Sequence, residues 1–306
     1  MKLQLNIQKK DNNYSYTFER IMHLIYIRSV YVWNHFNFLW NLLGYKKQMQ
    51  AALQIFVDLS DKVIRKKLVQ KHNLNEEDSQ DLGTKNHKVF LDCIMDSKQF
   101  GLNELQEEVN QFLFAGTETT SSTLCFIFAV LGMFQDIQHK VLQEILEIIG
   151  PEREPESKDL HRLEYMERVI KETLRLFPVV ALFGRSMTED CDVGDFVIPK
   201  LATVYFGVVY IHRNSKYWPD PLKFDPDRFL AEEVAKRPPC AYIPFSYGPR
   251  NCIGKNYSFM NMKVLIAVVL RKYKIHCDYK HVEDIQLRTN LVLRFKDDPK
   301  VYVTSR

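Results

Sequence analysis

Apolar positions recur at helical spacing through the first half of the chain. From Lys46 to Lys71 they form one face of an amphipathic helix, and from Asn103 to Phe134 the same spacing continues over an unusual length. An unbroken helix over the second stretch is about 48 Å long at 1.5 Å per residue, enough to cross a whole domain. The aromatic-rich stretch Tyr14 to Gly44 predicts one or two short helices, and the polar stretch Asn73 to Asn86 predicts a loop.

The last third of the chain has a mixed pattern. A helix is predicted from about Asp159 to Phe177, and Pro178 ends it. Short β-type runs follow between Ser186 and Val209, and then a proline-rich irregular segment. A final helix from about Ile253 to Tyr273 precedes two or three terminal strands. The predicted fold class is therefore mainly α with small β-sheets.

The middle of the long predicted helix is weak. Ala115 to Thr120 contains a glycine and several threonines, which are poor helix formers. A spot of this kind marks either a close packing contact between helices or a binding site. The pattern alone favours neither.

Composition excludes several classes of protein. The chain has 306 residues, 46% of them hydrophobic, so it can bury a large core and is neither disordered nor fibrous. Its 42 basic and 38 acidic residues leave a net charge of only +4, too balanced for nucleic-acid binding by phosphate neutralisation. Six cysteines form no C-x-x-C pair, which favours a reduced compartment.

The sequence also predicts a soluble or peripheral protein. Met1 to Lys10 lacks the apolar core of a signal peptide. No segment approaches the roughly 20 apolar residues of a membrane span.

One cysteine stands in a distinctive setting. Cys252 follows a loop stiffened by Gly248 and Pro249 and directly precedes the final predicted helix. The N-terminus of a helix favours a thiolate, and free amides there can hydrogen-bond a ligated sulfur. A lone cysteine is more often a small buried hydrophobic residue. The surrounding loop favours a role of Cys252 as a metal ligand instead.

This loop resembles the haem-thiolate loop of the cytochromes P450, whose pattern F-x-x-G-x-R-x-C-x-G it matches from Phe245 to Gly254. Three further blocks match the family in the expected order. Ala115 to Thr120 resembles A-G-x-[DE]-T-T, Glu172 to Arg175 resembles E-x-x-R, and Phe224 to Phe229 resembles P-x-R-F. The resemblance implies the cytochrome P450 fold.

The resemblance also implies a haem b cofactor. Cys252 matches the axial thiolate ligand of the haem iron. Arg250 and Arg185 match arginines that hold the haem propionates, a task suited to charge-assisted bidentate hydrogen bonds. Phe245 is expected to pack beside the sulfur.

On the long helix, Glu118 and Thr119 match the acid and the alcohol that relay protons during dioxygen activation. Without the other motifs, they would be a solvated helix face and a packed hydroxyl. Ala115 and Gly116 match cofactor-binding positions. Many members of the fourth P450 family have a glutamate at the position of Ala115 that bonds covalently to the haem, so alanine implies a non-covalent haem.

Glu172, Arg175 and Arg228 match a buried charge network behind the haem. The resemblance assigns them to support of the fold and of the haem loop, where every buried charge needs a partner. On spacing alone, Glu172 and Arg175 could equally form a surface ion pair worth about 0.3 kcal/mol.

The implied function is monooxygenation, in which one oxygen atom of O₂ enters a small apolar substrate and the other leaves as water. Electrons would come from NADPH through NADPH–cytochrome P450 reductase, with or without cytochrome b5. One alternative is a haem-thiolate enzyme that rearranges peroxides without a reductase, and the Glu118–Thr119 pair argues against it. The other is a truncated, non-catalytic P450 fragment unable to retain haem.

The stretches Glu108 to Thr120 and Tyr242 to Phe245 are most similar to the fourth family, which includes fatty-acid ω-hydroxylases and many insect enzymes. Fatty acids are therefore the first expected substrate class, followed by hormones, hydrocarbons and xenobiotics. Candidate pocket residues are Phe112, Phe114 and Val179 to Leu182, although an ordinary core has the same composition.

The resemblance covers nearly all of the chain but only the later, C-terminal portion of the family's pattern. Residues 1–306 are therefore expected to form a partial P450 domain that lacks the membrane anchor and the early helices. An incomplete gene model, a fragment or a splice form would give such a chain. The full-length form is expected on the cytoplasmic face of the endoplasmic reticulum membrane, and this chain alone is expected to hold haem weakly or not at all.

Overall fold

The computed structural model describes residues 14–77, 90–97 and 99–306. The chain divides into two compact units, Met1–Ala115 and Gly116–Arg306, and one long helix runs through the boundary. The fold is mainly helical with small antiparallel sheets, which confirms the predicted class.

The first unit is helical over its described residues. Its helices are α1 (Tyr14–Val30), α2 (Asn37–Leu42), α3 (Tyr45–Glu77), α4 (Phe90–Ser97) and the start of α5 (Leu102–Met133). Leu24, Ile27 and Trp40 form one buried cluster in this unit. A second cluster joins Ile64 of α3 to the start of α5.

Two features of the first unit differ from the sequence prediction. The loop predicted for Asn73 to Asn86 is wrong at its start, because α3 continues to Glu77. Its last residues include Glu76 and Glu77, and glutamate is a good helix former. The rest of that predicted loop, from residue 78, lies outside the described residues. The short helix α4 was not predicted.

Helix α5 continues without a break through the weak spot at residues 115–120. Hydroxyl groups just after this spot donate to carbonyls within it. Ser121 Oγ donates to the Glu118 carbonyl at 3.1 Å, and Thr123 Oγ1 donates to the Thr119 carbonyl at 2.8 Å. These bonds satisfy the side chains inside the helix. Within the described residues, α5 alone is long and apolar enough to cross a membrane, contrary to the sequence prediction, although buried helices of soluble proteins pass the same test.

The second unit contains the end of α5 and the remaining helices. These are α6 (Gln135–Ile148), α7 (Ser157–Leu160), α8 (Glu164–Leu176), α9 (Val208–His212), α10 (Ala231–Ala235) and α11 (Lys255–Lys272). Apolar side chains of α5, α6 and α8 form its core, and Phe126, Ile145 and Ile170 are fully buried. The helix predicted from Asp159 to Phe177 is interrupted at residues 161–163, and α6 was not predicted.

Four two-stranded antiparallel sheets accompany these helices. The pairs are β1 (Leu182–Ser186) with β4 (Thr203–Gly207), β2 (Cys191–Asp192) with β3 (Val197–Ile198), β5 (Tyr273–Cys277) with β8 (Val301–Ser305), and β6 (Leu287–Asn290) with β7 (Val292–Phe295). The first sheet places Arg185 opposite Val204. Pairing of β1 with β4 therefore holds the backbone of Arg185.

Candidate functional site

Residues 245–252 form a closed loop, called here the cysteine loop. The Cys252 amide donates to the Phe245 carbonyl at 3.0 Å and closes it. Inside it, Ser246 has φ 63° and Gly248 has φ 84°. Glycine adopts positive φ without strain, whereas serine adopts it only when the surrounding structure imposes it. The loop is therefore a constrained turn.

Cys252 lies at the end of this loop, just before α11. Its side chain is exposed, and its thiol is not part of a disulfide. The carbonyl of Cys252 accepts the Lys255 amide at 3.4 Å, so the cysteine lies in the turn that leads into α11 (Lys255–Lys272). The ring of Phe245 packs against Phe259 of α11, with centroids 5.7 Å apart.

A cavity of about 270 Å³ lies beside Cys252 within the second unit. Its walls come from α5, the end of α8 and the segment after it, β1, α11 and the residues around the cysteine loop. The lining residues are Thr119, Thr120, Thr123, Leu174, Val179, Val180, Phe183, Arg185, Ile243, Pro244, Phe245, Ser246, Arg250, Cys252, Ser258 and Met262. The surface is thus largely apolar, with hydroxyl groups from α5 and two arginines.

The two arginines are tied to the cysteine loop. Arg185 Nη2 donates to Ser246 Oγ at 2.8 Å and lies 3.4 Å from the Arg250 carbonyl oxygen. Its guanidinium also lies 4.9 Å from the ring of Phe183. Among the described residues no acidic side chain lines the cavity, so its charged lining groups are positive and suit an anionic ligand.

The structure separates Glu118 from Thr119. Thr119 lines the cavity, whereas Glu118 does not and instead forms an ion pair with Arg294 of β7. Ser122 Oγ donates to the same carboxylate at 3.3 Å. Sequence inspection gave no reason to single out Arg294, because its partner is far away in the chain.

Glu172 and Arg175 form a fully buried ion pair on α8. Arg175 Nε and Nη2 donate to the two carboxylate oxygens at 2.7 and 2.8 Å. The Asp225 amide donates to Glu172 Oε1 at 2.9 Å, and Arg228 Nε lies 3.5 Å from that oxygen. The pair is therefore no surface ion pair, and the segment that carries Arg228 is fastened to α8.

Several expected site residues lie elsewhere. Ala115 and Gly116 are exposed on α5 and do not line the cavity. Phe112 and Phe114, expected near a substrate pocket, make aromatic contacts within the first unit. The ring centroids of Phe112 and Phe90 are 3.8 Å apart, and those of Phe114 and Phe18 are 4.6 Å apart.

Comparison with known proteins identifies the family. The family profile named Cytochrome P450 matches residues 1–301. The chain is 34% identical to Cytochrome P450 4c3 of Drosophila melanogaster over 92% of the chain and 56% of that protein. It is 37% identical to Cytochrome P450 4g15 of the same species, over 77% of the chain and 42% of that protein. It is 34% identical to human Cytochrome P450 4V2, over 93% of the chain and 56% of that protein.

The chain therefore belongs to the cytochrome P450 family, and the relatives are all of family 4 type. It spans about half the length of the curated relatives that it matches.

The residues around the cavity fit the haem that this family implies. Haem is a flat, largely apolar ring with two carboxylates and an iron that already has four nitrogen ligands, so it needs apolar walls, cations and one axial ligand. The cavity offers apolar side chains, Arg185 and Arg250, and the thiol of Cys252. Among the described residues, no group of three or more His, Cys, Asp or Glu side chains could hold a bare metal ion. The single sulfur suits a metal whose other ligands come from a macrocycle.

Proposed function

We propose that this chain carries the haem-thiolate site of a cytochrome P450 monooxygenase. The supporting observation is the arrangement around one cavity: an exposed thiol just before α11, two arginines with no acidic side chain among the described lining residues, and hydroxyl groups from α5. Each group has a place in the chemistry of a haem enzyme. When bound, the haem would supply reductive activation of O₂, with one oxygen atom entering the substrate and the other leaving as water.

Cys252 is the proposed axial ligand. Its sulfur is exposed beside the cavity, and the hydrogen bond from its amide to the Phe245 carbonyl holds its backbone. As a thiolate, this sulfur would supply electron density to the iron of a bound haem. The ring of Phe245 packs on α11 next to this sulfur and would keep that side of the haem dry.

Arg185 and Arg250 are the proposed partners of the two haem carboxylates. Guanidinium groups form strong, oriented hydrogen bonds with carboxylates. Arg185 is held by Ser246, so its position follows that of the cysteine loop. The cysteine loop would thus determine the position of the sulfur and also the position of Arg185, which contacts one haem carboxylate.

Thr119 is the proposed proton carrier of the cavity. Its hydroxyl belongs to the α5 wall, and the Oγ1 atom would hold a proton and pass it on during O₂ activation. Glu118 is the proposed acid that relays protons together with Thr119. Since Arg294 pairs with this carboxylate, the acid is held away from the cavity in the conformation described here.

The proposed substrates are small apolar molecules, with fatty acids as the first class. Support comes from the apolar residues Val179 and Val180 in the cavity wall and from the family 4 relatives. Because residue 115 is alanine, the haem is proposed to be non-covalent. NADPH–cytochrome P450 reductase, with or without cytochrome b5, is the proposed electron donor, and the cytoplasmic face of the endoplasmic reticulum membrane is the proposed location.

The test is the spectrum of the reduced, CO-bound protein after reconstitution with haem, in this chain or in a longer form that contains it. A thiolate ligand gives a strongly red-shifted Soret band. We expect this band in the native sequence and its loss in Cys252→Ala. Cys240→Ala is the matched control, because Cys240 is another exposed, free cysteine close in sequence.

Retention of the red-shifted band in Cys252→Ala would refute the assignment of the ligand. Equal loss in Cys252→Ala and Cys240→Ala would also count against it, because a general effect on folding would then explain both.

A further inference from the structure

Arg175 connects the buried pair on α8 to the end of α9. While Nε and Nη2 bind Glu172, Nη1 donates to the carbonyl of His212 at 3.0 Å. All three residues are fully buried. The charged pair therefore fixes the backbone of His212.

The His212 side chain continues this connection. Its Nε2 accepts the amide N–H of Ile243 at 2.8 Å. Its ring stacks on Tyr242, with centroids 5.1 Å apart and planes 24° apart. Tyr242 is itself held by a 2.9 Å hydrogen bond from its hydroxyl to the Lys171 carbonyl on α8. The imidazole is thus held by a hydrogen bond at Nε2 and by stacking on one face of the ring.

From Ile243, two further hydrogen bonds lead to the backbone of Cys252. The Ser246 amide donates to the Ile243 carbonyl at 3.1 Å, and the Cys252 amide donates to the Phe245 carbonyl at 3.0 Å. Since Ile243 and Phe245 also line the cavity, a shift of this segment would move the cavity wall and the cysteine together.

The protonation state of the His212 ring is consistent with Nε2 as a hydrogen-bond acceptor. Burial lowers the pKa of His212 to about 4, and the positive charge of Arg175 acts in the same direction. The ring is therefore neutral at pH 7. Because Nε2 accepts, the proton is on Nδ1. Backbone groups of Arg175 and Leu174 near the ring oppose the effect of burial and raise the pKa in part.

We propose that His212 is a positioning residue for the cysteine loop, whose Nε2 links the Glu172–Arg175 pair to the backbone that presents Cys252. The inference rests on the proposed function of Cys252 as the haem ligand. It adds a residue outside the cavity that determines how well the thiolate reaches the iron.

Two substitutions separate the acceptor from the ring. His212→Gln places an amide oxygen close to the position of Nε2, whereas His212→Phe keeps a ring on Tyr242 and removes the acceptor. Tyr242→Phe is the control, because it removes a buried hydrogen bond next to the same ring without touching the Ile243 amide.

The first measurement is amide hydrogen exchange of the chain without haem, on peptides that cover residues 243–252. His212→Phe should speed exchange there by about tenfold, the equivalent of one lost hydrogen bond. Peptides from α8 should change less. His212→Gln should restore the slow exchange, and Tyr242→Phe should leave residues 243–252 close to the native rate. If His212→Phe behaves like Tyr242→Phe in these peptides, the proposal is wrong.

The second measurement is the CO spectrum of haem-reconstituted protein. His212→Phe should shift absorbance from the red-shifted thiolate band towards the band of a protonated or displaced sulfur, and His212→Gln should reverse the shift. An unchanged spectrum in His212→Phe would overturn the link to the ligand. Failure of the proposed function gives a different result, since the native protein would then lack the red-shifted band while the exchange result stands.

Discussion

The carboxylate of Glu118, in the middle of α5, is ion-paired with the guanidinium of Arg294 on β7. The side chains are 11% and 20% exposed respectively, so the pair is largely shielded from water. Thr119, the next residue along the helix, faces the cavity instead. An acid and an alcohol that are neighbours in sequence thus have different surroundings.

The strength of this pair is measurable by a double-mutant cycle. Glu118→Gln and Arg294→Gln should each lower the free energy of unfolding by about 1–2 kcal/mol, between the values for exposed and for fully buried pairs. The double variant should lose less free energy of unfolding than the sum of the two single losses. The coupling energy should be at least about 0.5 kcal/mol in urea unfolding. Purely additive effects would show that the two side chains do not interact in solution.

The Thr119 hydroxyl is expected to act in proton delivery and not in haem binding. Thr119→Val keeps the shape and removes the hydroxyl, so product formation should fall about tenfold or more while NADPH is still consumed and peroxide is released. Haem content should stay near normal. Thr123→Val is the control, because that hydroxyl lines the same cavity but donates to a helix carbonyl. Unchanged coupling of NADPH to product in Thr119→Val would contradict the relay.

The buried carboxylate of Glu172 should be essential for stability. In Glu172→Gln, Arg175 and Arg228 lose their counter-charge, and breaking a buried set of this kind costs about 3–5 kcal/mol. The variant should express poorly or lose haem, as followed by soluble yield and thermal unfolding. Glu164→Gln, at an exposed position of the same helix, should stay within about 0.5 kcal/mol of the native protein. A stable, fully haem-loaded Glu172→Gln protein would be inconsistent with a buried triad in solution.

Acid should destabilise the chain through His212. Burial lowers the pKa of His212 from 6.5 to about 4, so between these pH values the unfolded state binds a proton that the folded state does not. Stability is then lost as pH falls from 6.5 towards 4, by up to about 3 kcal/mol at about 1.4 kcal/mol per pH unit. Urea unfolding at several pH values should show this loss for the native protein and not for His212→Gln. Parallel pH profiles of the two proteins would mean that the ring is accessible to water.

Local patterns were sufficient for much of the fold. The apolar spacing after Asn103 predicted α5 to within one residue at each end, and the loop motif placed Cys252 just before α11. In both cases neighbouring residues carry the information. The helix break at residues 161–163 was missed, since the new start of α8 is held by a distant residue, Glu144, whose carboxylate accepts the Tyr165 and Met166 amides at 2.6 and 2.8 Å.

Contacts between distant residues account for what was missed at the site. Strand β1 contains Gly184 and gains its structure from pairing with β4, which no local pattern shows. Arg294 and His212 act on residues far from them in the chain, Glu118 and Ile243. Their importance depends on tertiary packing, so the sequence alone offered no signal for either.

The hydrogen bonds of Arg175 have a consequence for which substitutions the protein tolerates. Besides Glu172, its guanidinium donates to three main-chain carbonyls, those of His212, Pro221 and Lys223. Every amino acid supplies such a carbonyl, so residues 221 and 223 can change identity without loss of these bonds. Arg175 has no such freedom, because the single ammonium of lysine does not match a planar fork with this many acceptors. Substitutions at residues 221 and 223 should therefore be tolerated, whereas substitution of Arg175 should not.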